Sequence, residues 1–181
     1  MTGLDWVESL EAAYGSRIIS RRESAPGEIE FTVGPDDFHA FLSGLKNLAG
    51  GAFEHLADLT SYDEQKKSPR FYVVYELISM LRKQRCSVVV PCADNAAPKV
   101  RTVTDLWPGA NWLEREVYDL MGISFEGHPD QRRIYLPPSF EGHPLRKDFI
   151  VDYRQQFPKP SRENQVFDPF KNTIIETPKG S

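Results

Sequence analysis

Two histidines, each followed by a proline, are the first side chains whose chemistry could matter: His128 before Pro129 and His143 before Pro144. Four carboxylates lie close in sequence, Glu126, Asp130, Glu141 and Asp148. Such a grouping can serve a metal site or a histidine–carboxylate acid–base pair. It lacks the paired His-x-x-x-His or Cys-x-x-Cys spacing that makes metal motifs specific. In the other reading each His-Pro fixes a turn and the imidazole hydrogen-bonds nearby, and the missing pairs favour that use.

The neighbouring cations pose a similar choice. Arg132-Arg133 and Arg146-Lys147 suit a phosphate or an anionic lipid headgroup, yet Asp130, Glu141 and Asp148 are interleaved with them. A salt-bridge network, within the chain or across a boundary with another protein, is the favoured use. The sequence has no glycine-rich phosphate loop and no Gly-x-Ser-x-Gly nucleophile elbow. Cys86 and Cys92 fall in a Val-rich run that reads as a strand. Six residues of strand separate them by about 20 Å, beyond disulfide reach. Two thiolates also fall short of the four that usually hold an iron–sulfur cluster, so buried free thiols in a reducing compartment are expected. Trp107 and Trp112 flank Pro108-Gly109 and read as core or interface anchors.

These residues belong to a chain of 181, enough for one compact domain and an appendage. Apolar residues at 40% support a core, and a net charge of −4 argues against a dedicated nucleic-acid binder. No apolar run approaches the roughly 20 residues that span a bilayer. The opening Met-Thr-Gly-Leu-Asp-Trp lacks the basic-then-apolar pattern of a secretory signal. The expectation is a cytoplasmic chain that meets a membrane only through partners.

Periodicity supplies the elements. Leu4, Val7, Leu10 and Tyr14 recur at helical spacing, with Thr2 as cap and Gly15 as stop. Glu28 to Val33 alternates as a short strand. Pro35 opens a second helix with the stripe Phe38, Phe41, Leu42, Leu45 and Leu48, ending at Gly50-Gly51. Phe53 to Tyr62 and Arg70 to Met80 read as an antiparallel hairpin around a polar separator, and Arg85 to Pro91 as a third strand. Both faces of the second of these are apolar, which predicts a central strand covered on most of both sides. Helices clustered early, then strands joined as hairpins, indicate an α+β fold: a small, mostly antiparallel sheet with helices packed on it.

Asn111 to Gly122 is the best-defined helix, with Asn111 as N-cap, Glu114 completing a capping box, and Gly122 as the left-handed stop. Leu113, Val117, Leu120 and Met121 form its apolar stripe. Glu114, Arg115, Glu116 and Asp119 take the other faces. They read either as a solvated face or, through the i,i+4 spacing of Arg115 and Asp119, as partners for the basic pairs downstream. Beyond Gly122 the character changes: eight of 14 prolines fall between Pro129 and Pro178. The same stretch keeps many aromatics, unlike a disordered tail. The division is an α+β domain at 1–122, a motif-rich segment at 123–149, and an extended proline- and aromatic-rich C-terminal arm at 150–181.

Three linked runs carry a resemblance: Glu114-Arg-Glu-Val-Tyr-Asp-Leu-Met-Gly-Ile123, His128-Pro-Asp-Gln-Arg-Arg-Ile134 and Glu141-Gly-His-Pro-Leu-Arg-Lys-Asp-Phe149. In this order they resemble the signature of the 30 kDa subunit family, the C subunit, of proton-translocating NADH:quinone oxidoreductase, respiratory complex I. The resemblance implies a structural and assembly role in the peripheral arm, with no catalytic residue, cofactor or metal in this chain. FMN, iron–sulfur clusters and quinone would reside in partner subunits. The partners implied are a hydrogenase-large-subunit-like subunit of the quinone module and adjacent iron–sulfur subunits, at the cytoplasmic face of the inner membrane. Interface candidates are Glu114, Arg115, Glu116, Asp119, His128, Asp130, Arg132, Arg133, Glu141, His143, Leu145, Arg146, Lys147, Asp148 and Phe149. Charge reversal at Arg146 or Asp148 is expected to impair assembly more than chain stability. Two alternatives stand beside this: the equivalent subunit of a membrane-bound hydrogenase or other quinone- or ferredoxin-linked complex, and a small metal-dependent hydrolase using His128 and His143.

Overall fold

A computed structural model describes residues 5–49 and 52–150, and two further short strands, β8 (Gln165–Asp168) and β9 (Thr173–Glu176), paired antiparallel. Thr2, Leu4, Gly50-Gly51 and, apart from Ile150 and those strands, the arm at 150–181 lie outside the described residues.

Helix α1 (Asp5–Tyr14) buries Trp6, Val7 and Leu10. It runs into a 3-10 turn at Gly15–Arg17, and then β1 (Ile18–Ala25) begins. No strand was expected there, because six of its eight residues face solvent and leave no apolar alternation to detect. The available signal was Pro26-Gly27, a turn dipeptide, with Gly27 at φ +80° in the region glycine tolerates. β1 pairs antiparallel with β2 (Glu28–Val33). Helix α2 (Phe38–Lys46) follows and buries Phe38, Phe41, Leu42 and Leu45, four of the five predicted stripe residues; Pro35 lies in the turn before it, and Leu48 packs half-buried beyond its end.

The hairpin of β3 (His55–Asp63) and β4 (Phe71–Ser79) forms as expected, and β5 (Gln84–Pro91) pairs antiparallel with β4. The five strands lie in the order β1-β2-β5-β4-β3, with β2 against β5 as the parallel pair. Phe71, Val73, Tyr75 and Leu77 alternate into the core, fully buried. Trp6 meets Phe53 at 4.8 Å between ring centroids, and Phe38 stacks on Tyr75 at 5.7 Å, so both early helices cover this face. The opposite face of β4 is only half-buried, against the expectation of a strand covered on both sides. There Tyr72 stacks on Tyr62 at 4.9 Å, so the apolar side chains of that face shield one another at the surface. Cys86 and Cys92 are both buried free thiols, and burial pushes Cys92 up to about 12.

Helix α3 (Ala110–Met121) is bracketed by a two-stranded parallel sheet of β6 (Lys99–Arg101) and β7 (Ser124–Glu126). It starts two residues earlier than predicted, with Gly109 rather than Asn111 at the cap position and no side-chain cap, so Asn111 sits inside the first turn. Glu114 therefore closes no capping box. Its carboxylate is drawn instead to the strand end that β6–β7 pairing brings alongside.

Candidate functional site

The polar residues of α3 had two readings in the sequence, and the solvated-face alternative fails for most of them. Glu114 and Asp119 are fully buried and Arg115 is buried, whereas Leu113 and Leu120 of the predicted stripe are only half-buried. A buried charge needs partners, and each has them. Glu114 accepts the Val103 N–H at 2.7 Å and the Thr102 hydroxyl at 2.6 Å. Burial pushes its carboxyl up to about 7, while those two donors pull the other way.

Asp119 organises the segment that follows the helix. Its Oδ2 accepts three consecutive backbone N–H groups, from Ile134 (3.0 Å), Tyr135 (2.8 Å) and Leu136 (3.0 Å). Its Oδ1 accepts Arg133 Nη1 at 3.0 Å, and Arg133 also donates to the Gly142 carbonyl. Arg115 does not pair with Asp119, despite the i,i+4 spacing. Its Nε donates to the Arg132 carbonyl at 2.9 Å, and its guanidinium lies 4.9 Å from the ring centre of Trp112. Arg132 pairs with Asp130 at the surface.

Both histidines close turns onto the same helix. His128 Nδ1 accepts the Asp130 N–H at 3.0 Å, which assigns the proton to Nε2, facing the Asn111 carbonyl at 3.2 Å. Its Nε2 is 3.9 Å from Glu114, too long for a hydrogen bond. His143 Nδ1 faces the Asp119 carbonyl at 2.9 Å. Burial pushes both imidazoles below their ordinary value, so both are neutral near pH 7. Their acceptors are eight residues apart on α3, about 12 Å along the axis, so the two rings share no site. Among the described residues, no three His, Cys, Asp or Glu side chains converge as a metal would require.

The end of α3 is capped from 24 residues away. Gly122 takes the left-handed conformation, φ +69°, as predicted. Arg146 donates to the carbonyls of Met121 (2.7 Å) and Gly122 (3.1 Å), and the Leu145 N–H to that of Leu120 (3.0 Å). These are the carbonyls a helix C-terminus leaves unpaired, and a cation there also opposes the helix dipole. Arg146 then lies over the ring of Phe71 in β4, at 4.9 Å.

A second clamp ties the segment to the sheet. Arg70 makes two hydrogen bonds to buried Asp63, at 2.8 and 2.6 Å, and two to Asp148, at 3.0 and 2.7 Å. The Lys147 N–H adds a bond to Asp63 at 2.9 Å. The Arg70 guanidinium holds both carboxyls below the usual range. Phe149 stacks on Phe140 at 5.8 Å. Asp63, Arg70 and Thr102 carry no signal in the sequence, since each finds its long-range partner only through the fold. Of the predicted residues, the outward-facing ones are Leu145, 59% exposed, with Glu141, Arg132, Lys147 and half-exposed Asp148.

Among the described residues up to Ile150, the motif segment is thus a clasp that joins a helix with buried polar side chains to the edge of the α+β sheet. Residues 31–155 match the family described as respiratory-chain NADH dehydrogenase, 30 Kd subunit. Two relatives, from Burkholderia mallei (strain SAVP1) and Burkholderia pseudomallei (strain K96243), are both named as the C subunit of NADH-quinone oxidoreductase. Each is 40% identical over 168 residues, covering 89% of this chain and 84% of its own. The chain belongs to the NADH dehydrogenase 30 kDa subunit family. Its fold is also that of a chain from the membrane-bound sulfane sulfur reductase, an archaeal respiratory membrane complex, with a TM-score of 0.71 at 24% identity over 83% of this chain and 87% of that one.

Proposed function

We propose that this chain is a non-catalytic structural subunit in the peripheral arm of an NADH:quinone oxidoreductase. It docks beside the hydrogenase-large-subunit-like subunit and its iron–sulfur neighbours at the cytoplasmic face of the membrane. FMN, the clusters and quinone belong to those partners, and this chain supplies a rigid surface. The 123–149 segment works as part of the folded domain, and the 150–181 arm extends the contact.

The observation that carries this reading is the employment of the polar side chains. Four donors occupy the Asp119 carboxylate, both imidazoles close turns onto α3 carbonyls, and Arg146 caps the helix. General acid–base chemistry needs a group within reach of a substrate and free to exchange a proton. These groups are spent on holding the fold, which also leaves the hydrolase alternative without its two histidines as a pair. None of the described helices is long and apolar enough to cross a membrane.

Purification of the tagged chain from membranes, with identification of what accompanies it, tests the reading. The expected result is an assembly that oxidises NADH and reduces quinone, while the isolated chain holds no stoichiometric flavin, metal or cluster. Recovery with hydrogenase or sulfur-reductase subunits and no NADH oxidation would assign it to a related complex. Recovery alone, with a bound chromophore, would overturn the scaffold role.

A further inference from the structure

The outward side of α3 presents a large exposed aromatic, Trp112, beside a half-buried acid and leucine. Trp112, Glu116 and Leu120 stand at i, i+4 and i+8 and so line one stripe. Trp112 is 63% exposed, its ring backed by the buried Arg115 guanidinium. Tyr135, also 63% exposed, joins the stripe at its middle by donating its hydroxyl to Glu116 at 3.3 Å. Leu145 joins at the far end, where its N–H bonds the Leu120 carbonyl, and its side chain points out. Trp112, Tyr135 and half-buried Leu120 therefore lie along the stripe with the Glu116 carboxylate, and exposed Leu145 stands at its end.

We infer that this stripe is the docking surface for an apolar element of another protein chain that carries one arginine or lysine to meet Glu116, an inference that rests on the proposed membership of a larger assembly. The charge selects the occupant. An anionic bilayer would be repelled by the central carboxylate. A second copy meeting the stripe about a two-fold axis at its centre would bury Glu116 against its own symmetry mate, an uncompensated like-charge contact. A heterologous partner with a cation satisfies both the aromatic rim and the acid. Trp and Tyr with a desolvated, paired charge at the middle is also the composition of interface hot spots. The Arg115 support holds Trp112 in place before docking, so little side-chain freedom remains to be lost.

A photo-crosslinking amino acid at position 112 of the full chain, in the native membrane complex, reads the occupant directly. Expected is one crosslinked protein segment, apolar and with an arginine or lysine within it. Trp112→Ser with Leu145→Ser should lower the chain retained in the complex by about tenfold or more. The melting temperature of the isolated chain should stay unchanged for Leu145→Ser, whose side chain is mostly exposed. Glu116→Lys should weaken retention, and reversing the identified cation to Glu should restore it. Crosslinks to lipid or to a second copy, or undiminished retention of the double variant, would overturn the docking surface while leaving complex membership intact. A chain found in no complex at all would overturn both.

Discussion

Arg70 holds Asp148 across 78 residues of sequence, and holds Asp63 with the other edge of the same guanidinium. The two partners are not equivalent. Asp63 is 1% exposed and Asp148 50%. Removing the buried partner strands a guanidinium that is itself mostly covered, whereas the exposed one can be replaced by water. Asp63→Asn should cost about 3 kcal/mol in urea unfolding and Asp148→Asn about 0–1 kcal/mol. Equal costs would contradict the geometry.

Asp119 makes the stronger demand. Asp119→Ala leaves the N–H groups of Ile134, Tyr135 and Leu136 and the Arg133 guanidinium without their acceptor. Unpaired buried donors cost about 1–3 kcal/mol each where water cannot replace the bond. The variant should lose at least about 3 kcal/mol and expose 132–142 to rapid amide exchange. Retained protection of those three amides would refute the role of the carboxylate as their organiser.

Gly122→Ala tests the packing of the clasp separately from backbone conformation. A Cβ there would stand 2.5 Å from His143 Nε2 and 2.6 Å from Arg146 Nη2, at φ +69°. Gly27 has φ +80° with nothing within 4 Å of its Cβ. Both substitutions carry the left-handed penalty of about 1 kcal/mol. Only Gly122→Ala should add to it, by displacing His143 and Arg146 from the helix end. Identical destabilisation of the two variants would mean that the clasp gives way freely.

Arg146 revises the expectation that charge reversal there spares the isolated chain. Its guanidinium is half-buried, caps two helix carbonyls and covers Phe71. Arg146→Glu would place an anion against those carbonyls and should lower stability by about 2 kcal/mol or more. A thermal melt decides it, and an unchanged melt would return Arg146 to a pure interface role. Lys147, Leu145 and half-exposed Asp148 are better probes of assembly.

Glu114 predicts an opposite pH trend to the aspartates. Its folded carboxyl titrates at about 7, above the unfolded value of roughly 4.3. Between those values the folded state binds the extra proton, so this group's stabilisation is full below the unfolded value and is lost as pH rises through about 7. Asp63 and Asp148 are depressed, so theirs is present above the unfolded value and lost as pH falls through the folded one. His128 and His143, held neutral, also lose stability as pH falls below their unfolded value, partly masking Glu114. The measurement is therefore a difference: stability from pH 4.5 to 7.5 should fall more steeply with rising pH in the natural chain than in Glu114→Gln. Parallel curves would show that Glu114 is ionised throughout.

Features that depend on neighbours a few residues apart could be read from the chain before it was folded. The α2 stripe, the β3–β4 hairpin, the alternation of Phe71, Val73, Tyr75 and Leu77, and the Gly122 stop were all legible, because helix and strand periodicity is a local property. The motif runs from Glu114 to Phe149 were legible as a family signature without disclosing what each residue does. That Glu114 and Asp119 are buried and Glu116 is not had to come from the folded molecule, since all three are acids on one helix. Which of them turns inward depends on what packs against each side: the β6–β7 strand end at Glu114 and the 134–136 backbone at Asp119. Burial of a charge is settled by the donors that the rest of the chain brings to it, and those donors lie as far away in sequence as Arg70 does from Asp148.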